Sequence, residues 1–186
     1  PTATQTGNTP TPQATGISTA AIPSGVFVVL PWNAEPDPAI WDRPIDGIVV
    51  RTYWKDIEPS DGAYDWSYLD RQFNAAEENG KKIHLIIAPG FNSPQWVLQK
   101  VPTAMFVPPQ DSDGGSFGES PEKPLPVPWD EGYLSLWFGF IDQVAQRYAS
   151  RPAFGYISLT GPNSHNGEAS LVVGPIDRSG VSPKDG

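Results

Sequence analysis

Residues 46–70, DGIVVRTYWKDIEPSDGAYDWSYLD, constrain the fold of this chain more than any other stretch. Gly47–Tyr53 is a β-branched run of the kind that suits a strand in a sheet covered on both faces. Arg51 interrupts it near the carboxyl end. Trp54–Tyr64 reads as an aromatic turn punctuated by Pro59 and Gly62. Asp65 is a good N-cap, and Trp66, Leu69, Phe73 and Ala76 share one face of the helix it opens. A strand feeding a helix through such a loop is half of a βαβ unit. In these units ligands gather where the strands end.

The rest of the chain repeats the rhythm. Gly25–Trp32 and Lys82–Pro89 read as buried strands, the latter entered from a helix that ends at Asn79-Gly80. Phe154–Thr160 reads as a fourth strand. Before it, a helix is predicted from Glu131 to about Ser150, capped by Asp130 and followed by Pro152. Its apolar stripe is read as Leu134, Trp137, Phe138, Ile141, Val144, Ala145 and Tyr148. Strands alternating with helices predict an α/β fold with a parallel sheet.

Two segments stand apart. Residues 1–20 form a Thr/Pro-rich tract that cannot bury a core, and it reads as a disordered linker. Such tracts commonly join an export signal or lipid anchor to a catalytic domain, so an extracellular or cell-surface location is expected. Gly90–Pro128 holds eight prolines and leaves the carboxyl end of the third strand. It reads as a long loop, either one wall of a substrate cleft or a surface loop held by its own aromatics.

Bulk properties exclude several functions. The net charge of −9 argues against nucleic acid and against an anionic membrane surface, and it suits a neutral substrate. Without cysteine the chain has no disulfide, no thiolate metal site and no Cys nucleophile. No apolar run is long enough to span a bilayer. Two histidines far apart and no clustered carboxylates offer no metal site. No phosphate loop or dinucleotide fingerprint is present, so no cofactor is expected.

The motif W-x-x-I-E-P-x-x-G-x-Y-D-W-S-x-L-D, Trp54 to Asp70, resembles the second βα unit of glycoside hydrolases on the (β/α)8 barrel. It is closest to the β-galactosidase and β-glycanase types of the large retaining clan. Ser93-Pro94-Gln95-Trp96 resembles the turn after the third strand. Residues 128–133, with Arg147, Tyr148 and Pro152, resemble the third helix. ISLTGPNSHNGE, Ile157 to Glu168, resembles the fourth strand and the loop carrying the acid/base. The resemblance covers about residues 25–170. It implies an α/β fold of TIM-barrel type with four βα units present, residues 21–186 forming the amino-terminal half. A barrel needs roughly 200 residues or more. The remainder is expected downstream or from self-association.

The implied reaction is retaining hydrolysis of O-glycosidic bonds in a neutral oligo- or polysaccharide, which needs two carboxyls. The clan sets Asn directly before its acid/base. Here the nearest pattern is Asn166-Gly167-Glu168, which makes Glu168 the candidate. The clan's nucleophile lies on the seventh strand, so the chain alone is expected to be inactive. Trp32, Asn33, Trp54, Asn92 and Trp96 fall at strand ends and are candidates for sugar stacking and hydroxyl bonding; each Trp alone suits core packing better, and their common location raises the functional reading. Asn163, His165 and Asn166 join them in the loop before Glu168. Arg51 would point into the upper layer, to hold a carboxylate or bond a sugar hydroxyl. Glu58 is read as a structural turn residue and His84 as a core histidine. The alternative function is a non-catalytic carbohydrate-binding or scaffold protein on a degenerate barrel.

Overall fold

The computed structural model describes residues 24–106 and 122–158. Four parallel strands form one sheet in the order β1 (Phe27–Val29), β2 (Gly47–Tyr53), β3 (Lys82–Ala88) and β6 (Phe154–Ser158). A one-turn helix α1 (Trp54–Ile57) and the longer α2 (Ser67–Glu78) connect β2 to β3. After β3 come a short turn at Gly90–Asn92, α3 (Gln95–Leu98) and a two-stranded antiparallel ribbon, β4 (Thr103–Phe106) and β5 (Lys123–Pro126). Helix α4 (Glu131–Tyr148) returns the chain to β6. The fold is thus mixed α/β around a parallel sheet.

Local chemistry sets these boundaries. Asp130 Oδ1 accepts from the Tyr133 N–H at 2.9 Å and caps α4. Asp65 Oδ1 accepts from Ser67 N at the start of α2. Gly80 ends that helix in the left-handed region at φ 63°, with Lys81 N bonded to Ala76 O. Gly47 is required where β1 and β3 close in. A Cβ there would stand 2.2 Å from the Lys82 carbonyl oxygen and 2.4 Å from the Phe27 ring.

The core lies on one face of the sheet. Alternate strand residues Ile48, Val50, Ile83, Leu85 and Ile87 point toward α2 and α4, where Leu69, Phe73, Trp137, Phe140 and Val144 meet them. Phe73 stacks on Tyr148 at 4.4 Å, joining the two helices. Arg147 pairs with Asp70, and Arg151 with Glu77, along the same seam.

The expectation of a sheet covered on both faces does not hold among the described residues. The second face carries Phe27, Val29, Val49, Arg51, Tyr53, His84, Ile86, Tyr156 and Ser158, and no described helix lies over it. Val29 is 56% exposed there. His84 belongs to this face rather than to the core. It is half-buried, stacked on Tyr156 at 4.0 Å, with Nε2 2.6 Å from Ser158 Oγ.

Three further expectations are corrected. The buried stripe of α4 is Tyr133, Trp137, Phe140, Val144 and Tyr148, whereas Phe138 is 56% exposed. The helix has two apolar flanks, and the sheet takes the one led by Tyr133. The segment after β3 is not one long loop, because α3 and the ribbon organise its described parts. β1 is shorter than read, Phe27–Val29. Residues 159–160, read as the end of the fourth strand, lie outside the described residues, as does the amino-terminal tract.

Candidate functional site

Side chains from three strand ends meet at the carboxyl rim of the sheet. β1 runs into Trp32 and Asn33. Asn33 takes a left-handed φ of 53°, which Asn tolerates better than most residues. Its N–H donates to Arg51 O at 2.9 Å, and its Nδ2 donates to Asp56 Oδ2 at 2.8 Å. The β1 exit is therefore tied to both β2 and α1.

Arg51 lies on the helix-free face. Its Nε donates to Leu30 O at 2.8 Å, and its guanidinium sits 4.9 Å from the Trp32 ring centroid. No carboxylate among the described residues pairs with it. Trp32 in turn stacks on Tyr53 at 4.7 Å, 14° from parallel. Lys55 places its ammonium 5.1 Å from the Tyr53 ring and donates to Asn92 Oδ1 at 3.0 Å. Arg51, Trp32, Tyr53 and Lys55 thus form a ladder of alternating cations and rings. Such contacts gain strength where water is thin.

Trp54 is placed differently from the expectation. Trp54 has no exposed surface. It packs at 5.2 Å against both Trp137 and Phe140, and its Nε1 donates to Glu58 Oε2. No sugar can reach it. It follows the last strand residue, and α1 turns it back toward the helices. Trp96 meets Trp54 edge-on at 6.2 Å and donates to Glu58 O at 3.1 Å. Lys100 covers its ring at 4.9 Å. Trp96 therefore fastens the turn after β3 to the loop after β2.

Glu58 is the buried centre of that fastening. Its carboxylate accepts from Trp54 Nε1 and from Gly62 N, and it hydrogen-bonds the Tyr64 hydroxyl. Burial and this carboxylate push the Tyr64 phenol up. Asn92 is 7% exposed, held at the rim by Lys55.

Three contributors are not evident from the sequence. Tyr133, on α4, accepts from Gly90 N at 3.0 Å and shares a hydrogen bond with Ser93 Oγ at 3.1 Å. Burial outweighs these bonds and pushes its phenol up to about 12, so it stays protonated. Lys55 and Asp56 directly follow the strand end, which is the only sequence signal they carry. Together with Phe91, Ser93, Gln95 and Lys123 they line an open depression of about 480 Å3 between the two rim loops and the ribbon. A smaller one, about 230 Å3, lies between Asn33, Thr52, Asp65 and Tyr68, and shares Asp56 as a wall.

Among the described residues no group of His, Asp or Glu could hold a metal ion, and no helix is long and apolar enough to cross a membrane. Asn163, His165, Asn166 and Glu168 lie outside the described residues.

The chain is similar to beta-galactosidase LacZ of Heyndrickxia coagulans, at 30% identity over 100 residues. That match covers 54% of this chain and 14% of the relative. Among solved structures, a beta-galactosidase from the psychrophilic Marinomonas ef1 aligns with a TM-score of 0.47 and 22% identity. It covers 73% of this chain and 21% of that one. The chain thus spans under a quarter of the length of either relative. The sequence model of glycoside hydrolase 42, described as beta-galactosidase, matches residues 48–159, which is more than half of the chain. This protein belongs to the glycoside hydrolase 42, or beta-galactosidase, family.

Proposed function

We propose that the whole protein hydrolyses terminal or internal β-galactosidic bonds in a neutral saccharide, with retention, on a (β/α)8 barrel. The observation that carries this reading is the winding of the sheet. Four parallel strands stand in sequence order, and the described helices that pack on the sheet do so on a single face. A doubly wound sheet would place helices on both faces, whereas a barrel wall keeps its second face for the interior. Family membership supports the same fold. Residues 21–186 then supply the first four βα units. The amino-terminal tract serves as a linker from an export signal or anchor.

In that arrangement the carboxyl rim is the catalytic side. Arg51 faces the interior with its guanidinium over the Trp32 ring. It serves to hold a catalytic carboxylate ionised or to bond a sugar hydroxyl. Trp32, Asn33 and Asn92 shape the neighbouring wall. Glu168, ten residues beyond Ser158, is the acid/base. It protonates the leaving oxygen while a second carboxylate, from downstream of this chain, attacks the anomeric carbon. It then deprotonates the water that releases the sugar. Asn163, His165 and Asn166 flank it as hydroxyl-bonding groups.

The test is hydrolysis of an aryl β-galactoside by the full-length protein, with the first-formed anomer read by proton NMR. A β-anomer and a Glu168→Gln variant slowed by roughly a hundredfold or more are expected. A first-formed α-anomer, or full activity in the Gln variant, overturns the mechanism.

A further inference from the structure

The ladder of cations and rings leads from the helix-free face to the larger depression, because Lys55 belongs to both. Its far wall is the β4–β5 ribbon, which contributes Lys123 and Pro124. Its volume falls in the range of small-molecule sites, roughly 300–1,000 Å3. The lining is two-sided in character. Phe91, Pro59, Pro94, Pro124 and Leu98 give it apolar surface, while Ser93, Gln95, Asp56 and the two lysines give it a polar rim. Sugars have this same division, with C–H faces and a belt of hydroxyls. The rim holds both charge signs, which suits hydroxyls that donate and accept better than it suits an ion.

The floor is also rigid. Ser93 is locked to Tyr133, Lys55 is anchored on Asn92, and Trp96 ties the loop beneath to Glu58. A preformed wall avoids the entropic cost of ordering loops around a flexible chain.

We infer that this depression is an outer saccharide subsite. It holds units of an oligosaccharide beyond those at the reacting bond, so that the protein prefers chains to disaccharides. The inference rests on the galactosidase reading proposed above. It adds a position for distal units and makes the ribbon a determinant of chain-length preference.

The experiment is calorimetric titration of the full-length protein with linear β-galactan oligosaccharides, from the disaccharide to the hexasaccharide. Hydrolysis of the same sugars is followed separately. Two variants are compared. Gln95→Trp fills the depression, and Gln95→Ala removes one polar group; Gln95 is exposed, so both should leave the fold intact, which a thermal melt checks. In the wild type, affinity should rise about tenfold from the disaccharide to the hexasaccharide. Gln95→Trp should erase that rise, and Gln95→Ala should reduce it. Equal affinity for short and long chains overturns the subsite, as does a rise that survives Gln95→Trp, or no binding of the hexasaccharide at all. If no glycoside is hydrolysed but the length dependence and its loss are seen, the catalytic reading fails and the subsite stands.

Discussion

The indole of Trp54 donates to the carboxylate of Glu58 at 2.8 Å, and both side chains lie inside the core, 0% and 3% exposed. Four residues apart in sequence, they close the loop after β2 upon itself. Glu58 also receives Gly62 N at 3.0 Å, and its backbone oxygen receives Trp96. The carboxylate thus closes the loop after β2, and the backbone oxygen of the same residue holds the turn after β3. Removing the carboxylate leaves the buried Trp54 indole N–H without a partner, which typically costs 1–3 kcal/mol. Glu58→Ala should lower the unfolding free energy by about that amount, read from urea melts. A melt indistinguishable from wild type would show that the Glu58 carboxylate does not organise the loop after β2.

The α2–α4 seam predicts how stability responds to acid. Burial pushes the Asp70 carboxyl up, but hydrogen bonds from Arg147 and Tyr148 outweigh it and hold it low. The Arg151 bond holds Glu77 low as well. Burial lowers the pKa of His84. In each case the unfolded chain takes up its proton first as pH falls, so the contribution is present above the unfolded pKa and lost below it. Stability should decline first below about pH 6.5 through His84 and again below about pH 4 through the carboxylates. Asp70→Asn should be less stable at neutral pH and flatter in its acid limb. Urea midpoints across pH give the comparison, and an unchanged acid limb in the variant would exclude the seam as its cause.

Gly47 predicts a steric limit. A methyl group there meets the Lys82 backbone oxygen, which cannot move without disturbing the β2–β3 ladder. Gly47→Ala should destabilise by about 1–3 kcal/mol, as overpacking does elsewhere. Amide exchange localises the effect, with protection lost first at β1, whose three residues pair only with β2 among the described strands.

What the sequence disclosed, and what it hid, divides along the range of the forces involved. The bounds of β2, the Asp130 cap and the Asn79-Gly80 stop depend on neighbours within a few residues. All three stand where local pattern puts them. The flank of α4 that is buried depends on which side the sheet lies. Leu134 and Phe138 are as apolar as Tyr133 and Phe140, so composition could not choose between them. Trp54 shows the same limit. A Trp at a strand end is equally suited to a cleft and a core, and the direction of α1 decides. Of the site, Arg51, Trp32, Asn33 and Asn92 were legible as strand-end residues, and the structure joins them at one rim. Tyr133 was not, since its bond to Gly90 spans 43 residues. The ribbon was hidden by its prolines, which read as loop although a hairpin edge accepts them.

Those prolines have a consequence of their own. In β5, Pro124 and Pro126 stand opposite Met105 and Thr103, so the alternate residues Lys123 and Leu125 must supply the strand's N–H groups to β4. The outward side of β5 therefore offers no donor to a passing strand. A strand edge beside an open depression would otherwise invite another chain to add to it. Alternate prolines make the ribbon sterile to such pairing, so it can border the open depression without itself becoming a template for aggregation.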